Sequence, residues 1–225
     1  MNDVRKTIGW SEFSWNPITG CLGGCPYCYA RAMARRFGRT DEERAFRPTF
    51  HPERLDEPAK RKKPARIFVC STSDLFGVGV DKHWIGIVAQ TMAAASQHTY
   101  LTLTKRPDLM LETWNVEDWL APSRLWTGIT ATDQASWDSA VSYLREMRPR
   151  VVRWISVEPL LAPIVIGDWV PDWVVVGLLS PREAPGSRTY AHCLISDLRA
   201  RGVPVYVKTS LPEIDCREWP RGVGA

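Results

Sequence analysis

Apolar and polar positions come in alternating blocks along this chain of 225 residues. Six short runs rich in β-branched residues stand out: "RIFVCS" (66–71), "TYLTLT" (99–104), "LWTGIT" (125–130), "VVRWISV" (151–157), "DWVVVG" (172–177) and "VPVYVK" (203–208). Their length and make-up are those of buried strands. A shorter one, "EFSWN" (12–16), precedes them. Between most of the strands the period changes to that of a helix. Residues 81–97 place Trp84, Ile85, Val88, Met92 and Ala95 on one face behind an Asp81 N-cap, and 133–147 do the same with Trp137, Ala140, Val141, Leu144 and Met147. "YARAMARRFG" and "YAHCLISDLRARG" read as helices stopped by Gly38 and Gly202. Pro107 suits the first turn of another.

Strands alternating with helices predict an α/β fold with a mostly parallel sheet. About seven strands exceed a small open sheet and fall one short of a closed eight-unit barrel, so the pattern predicts a partial (β/α) barrel in a single domain. Polar groups follow the apolar runs directly, in "CSTSD", "LTKR", "GITATD", "SVEP" and "VKTS", which is where such folds build their sites.

Composition narrows the class. The longest apolar run, about "WVVVGLL", is far short of the roughly 20 residues of a membrane helix, and "MNDVRKTIGW" has no secretory core. No membrane role and a cytoplasmic location are the expectation, with thiols kept reduced. The formal charge is +4, yet residues 31–66 hold 12 Lys/Arg against 6 Asp/Glu. That segment is either a solvated face or a surface for phosphates. His51, His83, His98 and His192 show no hydrolytic metal spacing, and no GxGxxG or Walker loop is present. The 11 tryptophans are spread along the chain and mostly fall on core stripes; Trp15 and Asn16, directly ahead of the next motif, are the exceptions.

That motif is "GCLGGCPYCYA" (20–30), with Cys21, Cys25 and Cys28 in a C-x3-C-x2-C run among three glycines. A disulfide cannot use three sulfurs, and the spacing points to metal. Three thiolates can each bind a different iron of one [4Fe–4S] cube and leave the fourth iron open. The rivals are structural zinc, completed by Cys70, Cys193, Cys216 or His51, and free buried thiols.

The triplet, with Tyr27 just before its third cysteine and a barrel-like run after it, resembles the radical S-adenosylmethionine (radical SAM) superfamily. The resemblance implies that the open iron holds SAM and that an electron from the cluster cleaves it to methionine and a 5′-deoxyadenosyl radical, which takes hydrogen from a substrate. A narrower resemblance, to the phage Gp37/Gp68-type family, rests on "SWNPITGC", "CPYCYARAMARR", "FHPERLDEP", "FVCSTSDLFG", "LTKRPDLM", "LWTGIT", "SVEPLL" and "VPVYVK"; a "GGESG"-like turn of that family is "GLLSP" here. More remotely, "STSD" and "TKR" are similar to spore photoproduct lyase, a radical SAM enzyme that repairs DNA.

What the resemblance implies for single residues sits beside a structural alternative at each. Ser71, Ser73 and Asp74 stand where the superfamily binds the SAM amino group, although Asp74 suits a cap. Lys105 or Arg106 would hold the SAM carboxylate or a substrate phosphate, unless they are a surface pair. Thr130 and Thr132 would bond the ribose. Glu158 would do so too or orient the substrate; an acid between apolar "WISV" and a proline belongs at a cavity mouth or in a pair, and Lys208, a second candidate for the site, either joins it there or forms a buried structural ion pair with it. The implied cofactors are a [4Fe–4S] cluster and SAM. The implied partners are an external electron donor and a substrate, with nucleic acid or nucleotide ahead of peptide; non-catalytic nucleic-acid binding on a zinc-stabilised scaffold is the competing function.

Overall fold

The computed structural model describes residues 1–36, 46–116, 124–147, 152–180 and 182–220. The strands are β1 (Asn2–Asp3), β2 (Phe13–Trp15), β3 (Ile18–Thr19), β4 (Thr49–Phe50), β5 (Arg66–Val69), β6 (Thr99–Thr104), β7 (Leu125–Ala131), β8 (Val152–Val157), β9 (Trp173–Val176) and β10 (Val205–Val207). The helices are α1 (Tyr29–Arg36), α2 (Glu57–Lys60), α3 (Lys82–Ala94), α4 (Pro107–Val116), α5 (Gln134–Glu146) and α6 (Ser187–Ala200). Eight strands form one sheet in the order β1-β2-β5-β6-β7-β8-β9-β10, and β3 pairs with β4 separately. The chain has the α/β, partial (β/α)-barrel fold that its pattern predicts, with mostly parallel strands.

The elements form for the reasons visible in the sequence. Every residue of β7, β9 and β10 is buried, as parallel strands covered on both faces must be. Asp81 caps α3 by accepting from the His83 N–H at 2.8 Å, and Ile85, Val88, Ala89 and Met92 are the buried stripe. Asp133 and Ser136 form a reciprocal capping box at the start of α5, whose Trp137, Ala140 and Leu144 face inward. Pro107 opens α4 as expected. α6 stops just before Gly202 at φ +75°, while Gly38 lies outside the described residues. The eighth strand of the sheet is β1, an antiparallel edge piece pairing Asn2 with Ser14 and Asp3 with Phe13. Asn and Asp are poor strand formers, so no local signal announced it.

The chain divides into two compact units, Met1–Thr7 with Ser11–Leu125, and Ile8–Trp10 with Trp126–Ala225. In the first, β2, β5 and β6 run parallel, with Trp15 opposite Val69 and Phe68 opposite Leu101. The second has an aromatic core: Trp154 lies 5.1 Å from Trp10 and 5.2 Å from Trp173 between ring centroids, and Trp173 lies 5.5 Å from Trp126 and 5.3 Å from Trp219. Gly128 is required here, because a Cβ on it would come within 2.3 Å of the Trp154 ring. Residues 211–220 pack along β10, where the Val207 N–H donates to the Cys216 carbonyl at 2.7 Å and the Glu218 N–H to that of Val205 at 2.9 Å. No helix among the described residues is long and apolar enough to cross a membrane.

Candidate functional site

In the first unit the carboxyl ends of β2 and β5 lie side by side, and the chain leaves each of them abruptly. After β5 comes Cys70, a non-glycine residue at φ +60°, whose N–H donates to the Trp15 carbonyl at 2.8 Å. This left-handed residue turns the chain into Ser71–Asp74. After β2 comes Asn16, whose Oδ1 accepts from Ser71 Oγ at 3.2 Å, from the Thr72 N–H at 3.1 Å and from Thr72 Oγ1 at 3.1 Å. The same segment then grips the residue before the first cysteine. Gly20 donates its N–H to the Thr72 carbonyl at 3.0 Å, and its own carbonyl accepts from Ser73 Oγ at 2.5 Å. Gly20 has φ +83°, and a Cβ there would stand 2.2 Å from the Arg47 carbonyl oxygen, so no other residue fits.

The cysteine loop starts from that anchor. Cys21, Cys25 and Cys28 are all free and partly accessible. The Gly23 N–H donates to Cys21 Sγ at 3.3 Å, and the Arg31 N–H to Cys28 Sγ at 3.4 Å. Arg31 also reaches back with Nη2 to the Cys21 carbonyl at 2.9 Å, tying α1 to the loop. Burial pushes the Cys21 thiol up, the Gly23 N–H opposes this, and the negative charges of Asp74, Cys25 and Cys28 raise it further.

By residue type, three thiols suit a metal ion or cluster. Three thiols sit on a glycine-rich loop, and backbone N–H groups address two of the sulfurs, as thiolate–metal sites require. Among the described residues no group of three His, Cys, Asp or Glu side chains is drawn together as for a single ion.

Asp74 closes the arrangement. Its Oδ1 accepts from Thr104 Oγ1 at 2.6 Å and from the Phe76 N–H at 3.1 Å, and its Oδ2 from the Lys105 N–H at 3.0 Å. Its surroundings enclose it enough that burial pushes its carboxyl up, against the pull of those three hydrogen bonds and the Lys105 charge. The role expected of a cap is thus only the Phe76 bond; the other two tie the ends of β5 and β6 together. Lys105 points its Nζ at the Tyr27 ring, 5.7 Å from the centroid, beside the third cysteine. Arg106 is paired with Asp108 at 2.7 Å instead. Cys21, Cys25, Cys28, Tyr27, Ser71, Ser73, Asp74 and Lys105 therefore all lie in the first unit. Thr72 and Thr104 are the residues whose part the chain pattern did not announce; Asn16, directly after a strand and before the motif, was singled out there without a role.

Thr130, Thr132, Glu158 and Lys208 lie in the second unit. β8, β9 and β10 end in register, with Val157 opposite Val176 and Val176 opposite Val207. Glu158, Gly177 and Lys208 are the next residues. Glu158 Oε1 meets Lys208 Nζ at 2.6 Å, so the pair arches over the end of β9, and each side chain keeps about a quarter of its surface accessible, at 25% and 23%. Gly177 makes the arch possible, since a Cβ there would stand 2.9 Å from Glu158 Cγ. Ser156 Oγ, 3.4 Å from Glu158 Oε2, adds a donor, and Thr130 is its neighbour across the ladder. Thr132 serves the start of α5: its N–H donates to Ser136 Oγ at 2.8 Å and its hydroxyl lies 3.4 Å from Asp133 Oδ2.

The basic segment is divided. Arg31, Arg35 and Arg36 belong to α1, next to the cysteine loop, whereas Arg61, Lys62, Lys63 and Arg66 lie at the amino end of β5. There Arg61 covers the Phe13 ring at 4.1 Å.

Three solved structures share the fold. A cysteine-to-serine mutant of spore photoproduct lyase is 13% identical, with 84% of this chain and 62% of that one covered at a TM-score of 0.55. The lyase complexed with a dinucleoside spore photoproduct is 13% identical, covering 81% and 60%, at 0.52. A double mutant with bound AdoMet and the dinucleoside spore photoproduct is 13% identical, covering 81% and 60%, at 0.50. The chain spans 62% or less of the length of these proteins. At this identity the likeness is one of fold. No curated protein matches the chain. A family profile described as "Protein of unknown function (DUF5131)" matches residues 5–210. With nearly all of its length inside that match, the chain belongs to the DUF5131 family.

Proposed function

We propose that this protein is a radical SAM-type enzyme in which Cys21, Cys25 and Cys28 hold a [4Fe–4S] cluster. The observation that carries the reading is the cysteine loop itself: three free thiols, two of them addressed by backbone N–H groups, anchored at Gly20 by the segment that follows β5. The support from outside the chain is a fold shared with proteins one of which is described with AdoMet bound. Bound there, the cluster would supply one electron for the reductive cleavage of SAM to methionine and a 5′-deoxyadenosyl radical.

The chain's own residues have narrower tasks. Tyr27 and Lys105 cover the loop with a ring and a cation, and the Lys105 ammonium suits a carboxylate or phosphate. Ser71, Ser73 and Asp74 offer hydroxyls and a carboxylate to an ammonium group such as that of SAM. In the second unit Glu158 and Lys208 present both signs of charge at the strand ends, suited to orienting a polar substrate group, and Thr130 and Thr132 are hydroxyls suited to the SAM ribose. The arginines of α1 and the dinucleoside bound by a protein of the same fold favour a nucleotide or nucleic-acid substrate. An external one-electron donor completes the requirement.

Anaerobic reconstitution with iron and sulfide tests this. We expect about four irons per chain and thiolate-to-iron absorbance, lost in Cys25→Ala and kept in Cys193→Ala, with 5′-deoxyadenosine formed from SAM under a strong reductant. Stoichiometric zinc without iron would overturn the reading in favour of a zinc-stabilised binding protein.

A further inference from the structure

Asn16 is only 8% exposed, and the two ends of its amide are treated differently. Its Oδ1 is saturated by the three donors of Ser71 and Thr72. One of these is a backbone N–H, which can only donate, so oxygen and nitrogen cannot exchange places. The residue is pinned from the other side as well, because its carbonyl accepts from Arg54 Nη1 at 3.0 Å and Pro17 follows it. Nδ2, with two N–H donors, meets no acceptor among the described residues. Nor does it belong to the sealed polar atoms that lack a partner, so it keeps a small contact with solvent. The segment that holds its oxygen is the one that reaches the cysteine loop: the Ser71 carbonyl accepts from the Tyr29 hydroxyl, and Ser73 Oγ donates to the Gly20 carbonyl.

A side chain locked by its oxygen and open at its nitrogen is a pre-oriented donor, with its ordering cost already met by the fold. We infer that Asn16 is a ligand-binding residue whose Nδ2 donates to an oxygen acceptor of the small molecule held at the cysteine loop. The inference rests on the radical SAM reading, which makes that molecule SAM and the acceptor either its carboxylate or a ribose hydroxyl.

Asn16→Asp separates the two ends of the amide. It keeps an oxygen facing Ser71 and Thr72 and turns the free donor into an acceptor. In reconstituted protein the Kd for SAM, measured by calorimetry, should rise by about tenfold to a hundredfold, with iron content and melting temperature as in the unsubstituted protein. Thr72→Val, which removes one of the three bonds that fix the amide, should raise it less. Decarboxylated SAM distinguishes the acceptors: a loss confined to SAM assigns the carboxylate, and an equal loss for both assigns the ribose. Unchanged Kd values for both ligands would overturn the inference and leave the cofactor reading intact. Lower iron content or melting temperature in Asn16→Asp would overturn it too, by making Asn16 part of the scaffold alone. If the unsubstituted protein holds a cluster but binds no SAM, the radical SAM reading is what fails, and the role of Asn16 falls with it.

Discussion

Cys70 carries two burdens at once. It is 2% exposed, so burial pushes its thiol up to about 12 and leaves it protonated at neutral pH. It also holds φ at +60°, a conformation that costs a non-glycine residue roughly 1–2 kcal/mol. The turn it makes aims Ser71–Asp74 at Asn16 and Gly20, so local strain is exchanged for the geometry of the cysteine loop. Cys70→Gly relieves the strain but loses a small buried side chain, and the two effects should nearly cancel. Cys70→Val keeps the bulk and adds a β-branch that the left-handed region rejects, so it should lower unfolding free energy by about 2 kcal/mol or more in urea titration. An equal response to both would mean that packing, not conformation, governs the position. Neither the strain nor the Asn16 contacts were legible in the sequence, because each arises from a partner more than 50 residues away.

At the scale of elements the chain announced itself well wherever one element met one physical requirement. Asp81 was readable as a helix start because a cap is a local contact, and the parallel strands because each is a short run rich in β-branched and apolar residues. β1, β3 and β4 were not, since two-residue pieces are held by their neighbours. The cap on α5 allows a signed prediction. Hydrogen bonds from the Ser136 hydroxyl and N–H hold the Asp133 carboxyl below its ordinary value of 3.8. Its folded pKa is depressed, so its contribution is complete above the unfolded value and disappears as pH falls through the folded one. Asp133→Ala should therefore cost about 1 kcal/mol at neutral pH, and the difference from the unsubstituted protein should shrink in acid denaturation series below about pH 4. A cost that stays constant into strong acid would assign it to packing instead.

Across the whole molecule the formal charge of +4 says less than its distribution. In the first unit, the arginines of α1 follow the cysteine loop at the carboxyl ends of the strands, and Lys62 and Lys63 lie at the amino end of β5. If nucleic acid is the substrate, Arg35→Glu with Arg36→Glu should weaken retention on single-stranded DNA and flatten its dependence on salt, while Lys62→Glu with Lys63→Glu should leave both nearly unchanged. The opposite ranking would move the contact away from the site. The type of cofactor chemistry was legible because three cysteines in eight residues are a local statement. The pairing of Glu158 with Lys208 was legible only as a pairing; that it needs Gly177 beneath it follows from three strands ending in register, which no single segment records.

The aromatic core of the second unit gives the protein a built-in optical label. Trp10, Trp126, Trp154, Trp173 and Trp219 lie within a few ångströms of one another in a chain of ring contacts, close enough for excitation to pass among them and for their emission to behave as one signal. With the tryptophans of residues 11–125 replaced by phenylalanine, the remaining fluorescence follows the second unit, whereas visible absorbance from metal bound at Cys21, Cys25 and Cys28 would follow the first. Recording both through one unfolding titration reads each half of the chain by its own colour, and coincidence of the two curves is the direct measure of whether they fold as one cooperative body.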